Sequence, residues 1–350
     1  MQIKRVEALK PGMQLARTIY TSDGRILLSA GTILRESYIK RLIEFGYPAV
    51  YIGDPAVAAR VKEPISEVTR HKAMKVLHEG FSAVKVGGTF DLAPIEDVVY
   101  SMIDEVIINS DVAVHLTDIR SHDDYTFGHS VNVCVLSIVM GIALELDQRN
   151  LAELAMGAML HDVGKTQIPE KILLKSSKLN AVEWEEMKRH ARFGFDLLRL
   201  KPELSAKAAH VAYQHHERVN GSGYPRGLVD DEIHLFARIA SVADTYDAMT
   251  SDRVYRKGVP PHLALQAIAG LRGLQFDPEL VDIFLKSVVP YPPGCKVELA
   301  NGDVGMVVDN PRPGEIVVRL MPHEEADELE AEGPTVSLYL RADAVGPRML

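Results

Sequence analysis

Cysteine is close to absent from this chain, with two in 350 residues, too few for a disulfide framework or a thiolate zinc ribbon. Cys134 stands in an apolar helical run and Cys295 beside a Pro-Pro-Gly turn, positions that suit buried thiols. Basic charge is also in short supply: 39 lysines and arginines face 48 acidic residues, for a formal net charge of −9. That balance argues against broad binding to DNA or RNA by counterion release, so an anionic ligand needs local cations or metals. No stretch reaches the roughly 18 to 20 uncharged apolar residues that a membrane helix requires. The opening MQIKRVEALKPGMQ lacks the apolar run of a signal peptide. The expected location is the cytoplasm, with no membrane partner.

What is present suits a folded protein of two or three domains, since 47% of the residues are hydrophobic and 25% charged. Residues 1–60 alternate apolar and polar positions in IKRVEAL, MQLARTIY and RILLS, with turn signals at Lys10-Pro11-Gly12 and Ser22-Asp23-Gly24. A short helix over Arg35 to Phe45 and a strand over Ala49 to Gly53 complete an α+β accessory module. Residues 61–90 are charged and weakly hydrophobic, as expected of a helical connector. From 91 to 289 apolar residues recur at three and four spacing, the signature of an all-α domain. The period returns to two from 290 to 350, where KVELANGDVGMVV and EIVVRLM flank an Asn301-Gly302 hairpin signal and predict a small β-module. EEADELEAE, near Glu324 to Glu332, is expected to be a solvated loop. The fold class is therefore mainly α, an all-helical bundle flanked by a small N-terminal β-rich unit and a small C-terminal β-module.

Histidine is the unusual count, at 13. His129, His161-Asp162, His190, the pair His215-His216 and Asp244 all fall near helix ends or on one helix face. Imidazole and carboxylate together suit iron, manganese, zinc or nickel, and a carboxylate among several histidines can bridge two ions. Asp244 lies amid Ala240, Val242, Ala243 and Ala248, where an aspartate is costly unless paired or metal-bound. Asp247 can instead pair with a nearby arginine. Lys165 follows His161 and Asp162 by four and three positions, close enough to share a face if the turn is helical. It is either a phosphate-holding or proton-donating group or a solvated lysine at a helix end. In GSGYP the permissive Gly221 and Gly223 and rigid Pro225 place Tyr224 behind two candidate ligands, as a pocket wall. Arg253 and Arg256 are local cations for phosphate, with surface ion pairing as the alternative.

The ordered series YTFGHS, HDVGK, MKRHARFG, HHERVNGSGYP and VADTYDAMTSDRVYR resembles the HD-GYP subgroup of the HD phosphohydrolase superfamily, over about Ser121 to Leu285. The N-terminal β-unit resembles an accessory module that often precedes such domains. The resemblance implies a bacterial signalling enzyme, an all-helical phosphodiesterase that cleaves cyclic di-GMP to linear pGpG and in some members onward to GMP. It implies two transition-metal ions, iron or manganese first, with zinc, nickel or magnesium as alternatives. One ion would be held by His129, His161, Asp162 and Asp244, the other by His190, His215 and His216, with Asp162 bridging. Lys165 would assist the departing 3′-oxygen, and Arg253 and Arg256 would hold phosphates.

Two positions depart from the family pattern. Tyr125 stands where some members carry a glutamate for a third metal, so a binuclear site is expected. Asn220 replaces an acidic residue before the glycine, which keeps a turn-forming side chain but removes a charge. The base read by the site is open in the sequence, leaving 3′,3′-cyclic GMP-AMP as an alternative substrate. A catalytically weak cyclic-dinucleotide-responsive signalling module is a third reading, though no ligand of the set has been lost. The N-terminal module could serve signalling protein partners, and the sequence leaves the oligomeric state open.

Overall fold

The computed structural model describes residues 2–21, 25–47, 49–58, 63–109, 125–175, 177–251, 258–291, 294–310, 315–321, 335–339 and 348–349. The front of the chain carries β1 (Gln2–Arg5), β2 (Ile19–Tyr20), β3 (Ile26–Leu28), α1 (Glu36–Glu44) and β4 (Ala49–Ile52). β1 pairs antiparallel with β4, and β2 with β3. Val6, Leu15, Leu34, Leu42 and Val50 close a small core between them. Gly12 takes the left-handed conformation expected of its turn, with φ +94°, whereas Ser22-Asp23-Gly24 lies outside the described residues.

A larger helical body follows a short helix, α2 (Pro55–Ala58). It comprises α3 (Glu67–Lys85), α4 (Ala93–Ile108), α5 (Tyr125–Ala143), α6 (Gln148–Leu160), a 3₁₀ turn at Val163–Gln167, α7 (Glu170–Leu173), α8 (Ala181–Lys188), α9 (His190–Leu198), α10 (Ala206–Gln214), α11 (Leu235–Thr250), α12 (Pro261–Gly270) and α13 (Pro278–Ser287). α5 is the hub, packed on α6 and α11, while α6 lies on α10 and α9 lies on both α10 and the 3₁₀ turn. Val131, Val133, Cys134, Val135, Leu136, Ile138 and Met140 are all buried, so α5 is enclosed on every side, as its apolar run requires.

The charged segment before residue 91 corrects the reading as a connector. α3 starts at an N-cap in which Ser66 accepts from the Thr69 backbone N–H. It buries Ala73, Met74, Leu77, Phe81 and Val84 in the same core as α4, α5 and α6. Those residues recur at helical spacing, but the charges on the opposite face dilute the average that made the segment look weakly hydrophobic.

The C-terminal strands β5 (Lys296–Glu298), β6 (Val304–Asp309), β7 (Glu315–Leu320), β8 (Thr335–Tyr339) and β9 (Arg348–Met349) form one antiparallel sheet in the order β8-β7-β6-β5-β9. Gly302 turns the β5–β6 hairpin with φ +87°. The acidic run near Glu324 to Glu332 lies outside the described residues. Cys134 and Cys295 are both buried and unbridged. Among the described residues no helix is long and apolar enough to cross a membrane.

Candidate metal centre

Six elements deliver the sequence-selected side chains to one place. His129 sits one turn into α5, His161 ends α6, Asp162 opens the 3₁₀ turn, His190 starts α9, His215 and His216 follow the last residue of α10, and Asp244 lies within α11. The C-terminal ends of α6 and α10 both face the cluster, so their partial negative charge favours cations there. All of these side chains are buried except His216, which is partly exposed.

The ligand atoms form two groups of three, His129 with His161 and Asp162, and His190 with His215 and His216, each within 4.8 Å of one another. Asp162 stands between them. Its Oδ2 lies 3.3 Å from His161 Nε2 and 3.8 Å from His129 Nε2, and its Oδ1 lies 3.5 Å from His190 Nε2 and 3.9 Å from His215 Nε2. Asp244 spans the other side, with Oδ1 3.1 Å from His129 Nε2 and Oδ2 3.8 Å from His216 Nδ1.

Three imidazoles have their tautomer fixed by backbone carbonyls. Nδ1 of His161 donates to Ala158 O at 2.8 Å, that of His190 to Met187 O at 2.7 Å and that of His215 to Ala212 O at 3.0 Å. A carbonyl only accepts, so each neutral ring turns an Nε2 lone pair into the site. Burial holds His190 down to about 4 and His215 down to about 3, and it pushes His216 well below the usual histidine range. His190 and His215 therefore point two lone pairs at each other across 3.3 Å. His161 Nε2 and Asp162 Oδ1 are buried without a hydrogen bond. Facing lone pairs and orphaned acceptors are costly unless a cation is shared between them, so this donor set fits divalent metal ions.

His129 differs. Burial alone would depress it, but hydrogen bonds to Asp244 and Asp247 prevail and raise it to about 9. Burial opposes ionisation of Asp162 and Asp244, yet their neighbours hold both well below the usual carboxylate range: the Lys165 ammonium and the adjoining His161 ring for Asp162, a hydrogen bond from His129 and the nearby His216 ring for Asp244.

Asp247 accepts from His129 Nδ1 at 2.7 Å and from Asn132 Nδ2 at 2.6 Å, while the nearby arginines that the sequence offered it, Arg253 and Arg256, lie outside the described residues. Arg70 of α3 donates in turn to Asn132 Oδ1 at 2.7 Å. Asp247 thus orients a ring without facing the cluster, in the carboxylate–histidine arrangement common behind metal ligands. Asp247→Ala is expected to weaken metal binding by about 10- to 100-fold, measured by metal titration of chelator-treated protein; unchanged affinity would remove Asp247 from this role.

Lys165 lies beside Asp162, with Nζ 2.5 Å from Oδ2, because a 3₁₀ turn eclipses residues three apart. Tyr224 stacks on His216, with ring centroids 4.6 Å apart and 28° between planes. Glu217, which the sequence reading left unassigned, pins this loop by accepting from the backbone N–H of Arg226 and Leu228 at 2.8 and 3.0 Å. Its signal in the sequence was its place beside the two histidines, and its burial emerges only in the fold. Gly223 passes so close to that strand of chain that a Cβ would stand 2.4 Å from both Arg218 N and Glu217 Cα. Asn220 Oδ1 accepts from Ser222 N and Oγ, so the amide closes the turn without the missing charge. Arg253 and Arg256 lie outside the described residues, and Tyr125 opens α5 with its side chain also outside them.

Residues 116–280 match the HD domain family. The chain is 34% identical over 261 residues to a cyclic di-GMP phosphodiesterase of Pseudomonas aeruginosa, which covers 73% of this chain and 63% of that protein. It is 40% identical over 165 residues to a cyclic di-GMP phosphodiesterase of Thermotoga maritima, covering 47% of this chain and 45% of that protein. The chain thus spans less than two thirds of the length of either relative. Among solved structures, an HDG"Y"P protein from Bdellovibrio bacteriovorus aligns with a TM-score of 0.52 at 18% identity, covering 81% of this chain and 97% of that one. At that identity the likeness bears on the fold alone.

Proposed function

The chain belongs to the HD domain family with a GYP element in place, and from that premise we propose that it is a metal-dependent phosphodiesterase hydrolysing cyclic di-GMP. The observation that carries the reading is Asp162, a buried carboxylate with one oxygen turned to each histidine group. His129, His161, Asp162 and Asp244 would hold one divalent cation, and His190, His215 and His216 a second, with Asp162 shared. Iron or manganese suits this nitrogen-rich, oxygen-bridged set. Bound there, the cations would supply Lewis-acid neutralisation of charge on the phosphoryl oxygens.

The protein's own groups do the rest. Hydrolysis forms a bond from water oxygen to phosphorus and breaks the bond from phosphorus to a ribose 3′-oxygen. Lys165 is placed at the same carboxylate and about a quarter exposed, so its ammonium can donate the proton that the departing 3′-oxygen needs and regain the one the attacking water releases. Tyr224 walls the pocket on the His216 side. The product is then linear pGpG, with Arg253 and Arg256 as phosphate contacts.

The test is elemental analysis of protein purified without chelator, followed by turnover with cyclic di-GMP and, in competition, 3′,3′-cyclic GMP-AMP. Iron or manganese near two per chain and release of pGpG are expected. Metal-replete protein with no turnover would reject the enzyme in favour of a binding module, and preference for the mixed dinucleotide would reassign the substrate. Adding Mn(II) at about 100 times its dissociation constant to chelated protein should stabilise the fold by about 2.7 kcal/mol, read as a rise in melting temperature.

A further inference from the structure

The chain has one tryptophan, and it does not serve the core. Trp184 lies in α8, a helix with no buried residue, and its side chain is 46% exposed. An indole left half in water on a helix that packs so little needs a reason beyond folding.

Its surroundings supply one. The Trp184 ring stands edge-on to Tyr224, with centroids 6.1 Å apart and planes at 79°. Tyr224 in turn stacks on His216 and meets His190 edge-on, with centroids 6.3 Å apart at 80°. The two aromatic rings therefore form a right-angled corner at the rim of the histidine cluster, open on the indole side. Lys188, one turn after Trp184, places its ammonium 5.9 Å from the Tyr224 centroid while paired to Glu185 at 2.7 Å.

The first turn of α8 is also fixed locally. Asn180 and Glu183 form a capping box, and Lys175 bridges to Glu183 at 2.5 Å. With its helix start fixed and its edge set against Tyr224, the indole is positioned before any ligand arrives.

We propose that Trp184 and Tyr224 form a purine-stacking corner, with Trp184 as the platform for one base of the cyclic dinucleotide while a phosphate lies at Asp162 and Lys165. The proposal rests on the phosphodiesterase reading above and names the base-binding residue that the reading lacked. Stacking on an indole is tolerant of base identity, since every purine offers a π face. The corner accordingly accounts for affinity and leaves the choice between guanine and adenine to other contacts.

The experiment uses metal-loaded protein. Trp184→Ala should raise KM for cyclic di-GMP on the order of tenfold or more, while Trp184→Phe, which keeps a ring, should stay within about threefold of wild type. In both variants kcat should change by less than about threefold. Because ring 184 is the one tryptophan, its emission reports this position alone, and adding a slowly hydrolysed phosphorothioate analogue of cyclic di-GMP should quench it. Metal content and melting temperature of Trp184→Ala should match wild type. If wild type turns over cyclic di-GMP but KM is unmoved in Trp184→Ala and emission is unquenched, the stacking role is wrong and the enzyme reading stands. If the variant instead changes the oligomeric state in light scattering, the indole belongs to a contact between copies and the proposal is overturned. If wild type turns over no cyclic dinucleotide, the phosphodiesterase reading fails first and takes this one with it.

Discussion

Asp162→Asn is expected to lower cyclic di-GMP turnover on the order of 10³-fold or more and to leave the protein with less than its full metal complement. The amide has the same shape, so the substitution isolates charge. The wild-type carboxylate presents one oxygen to His161 and His129 and the other to His190 and His215. An asparagine can offer one neutral oxygen and an NH₂ group, which would turn donor hydrogens toward imidazole Nε2 atoms on one side. It therefore loses both the shared negative charge and one of the two acceptors. Lys165 also loses its ionic partner, which should leave its ammonium less well directed. Far-ultraviolet circular dichroism should stay unchanged while elemental analysis records the lost metal. An asparagine variant that keeps both metals and more than a tenth of the wild-type rate would place the chemistry elsewhere.

Gly164→Ala is expected to destabilise the fold by about 3 kcal/mol or more, among the largest effects available from adding a single methyl group. A Cβ there would stand 2.0 Å from His190 O and 2.4 Å from Gly194 N. Both neighbours are backbone, so no side chain can rotate aside, and relief requires α9 to slide away from the 3₁₀ turn. α9 begins with His190, so the same movement would pull one imidazole out of the cluster. Chemical denaturation measures the first effect and metal titration the second. Gly270→Ala is the control, because a Cβ there meets nothing within 4 Å and helix propensity favours alanine. Equal stability of the two variants would contradict the close-approach argument.

The reason for that glycine was not legible from HDVGK, where it reads only as part of a motif. Packing of a turn against a helix that starts more than twenty positions later is a three-dimensional fact. The candidate ligands themselves were legible because buried imidazole and carboxylate are chemically expensive, and their types announce a purpose wherever they stand in an apolar run. Asp244 among alanines is the plainest case. Asp247 has the same composition around it, yet its partner His129 is 118 positions away, and nothing local distinguishes a ligand from the residue that steers one. The sheets at both ends followed from the period-two alternation. α3 did not read as core, because its apolar stripe is narrow and its lysines and glutamates dominate any average. Trp184 was passed over for a related reason: an isolated aromatic in a polar helix carries no pattern, and its meaning lies in the tyrosine set beside it by the fold.

The stretch that matches the HD family begins at residue 116, yet the wall behind His129 is finished by a guanidinium from a helix that starts at Glu67. Arg70, Asn132 and Asp247 make a buried, hydrogen-bonded strut from the upstream helix to the ring. α3 is thus braced against the centre rather than hung from it on a swivel, and it cannot shift along α5 without tearing a charged contact out of a buried interior.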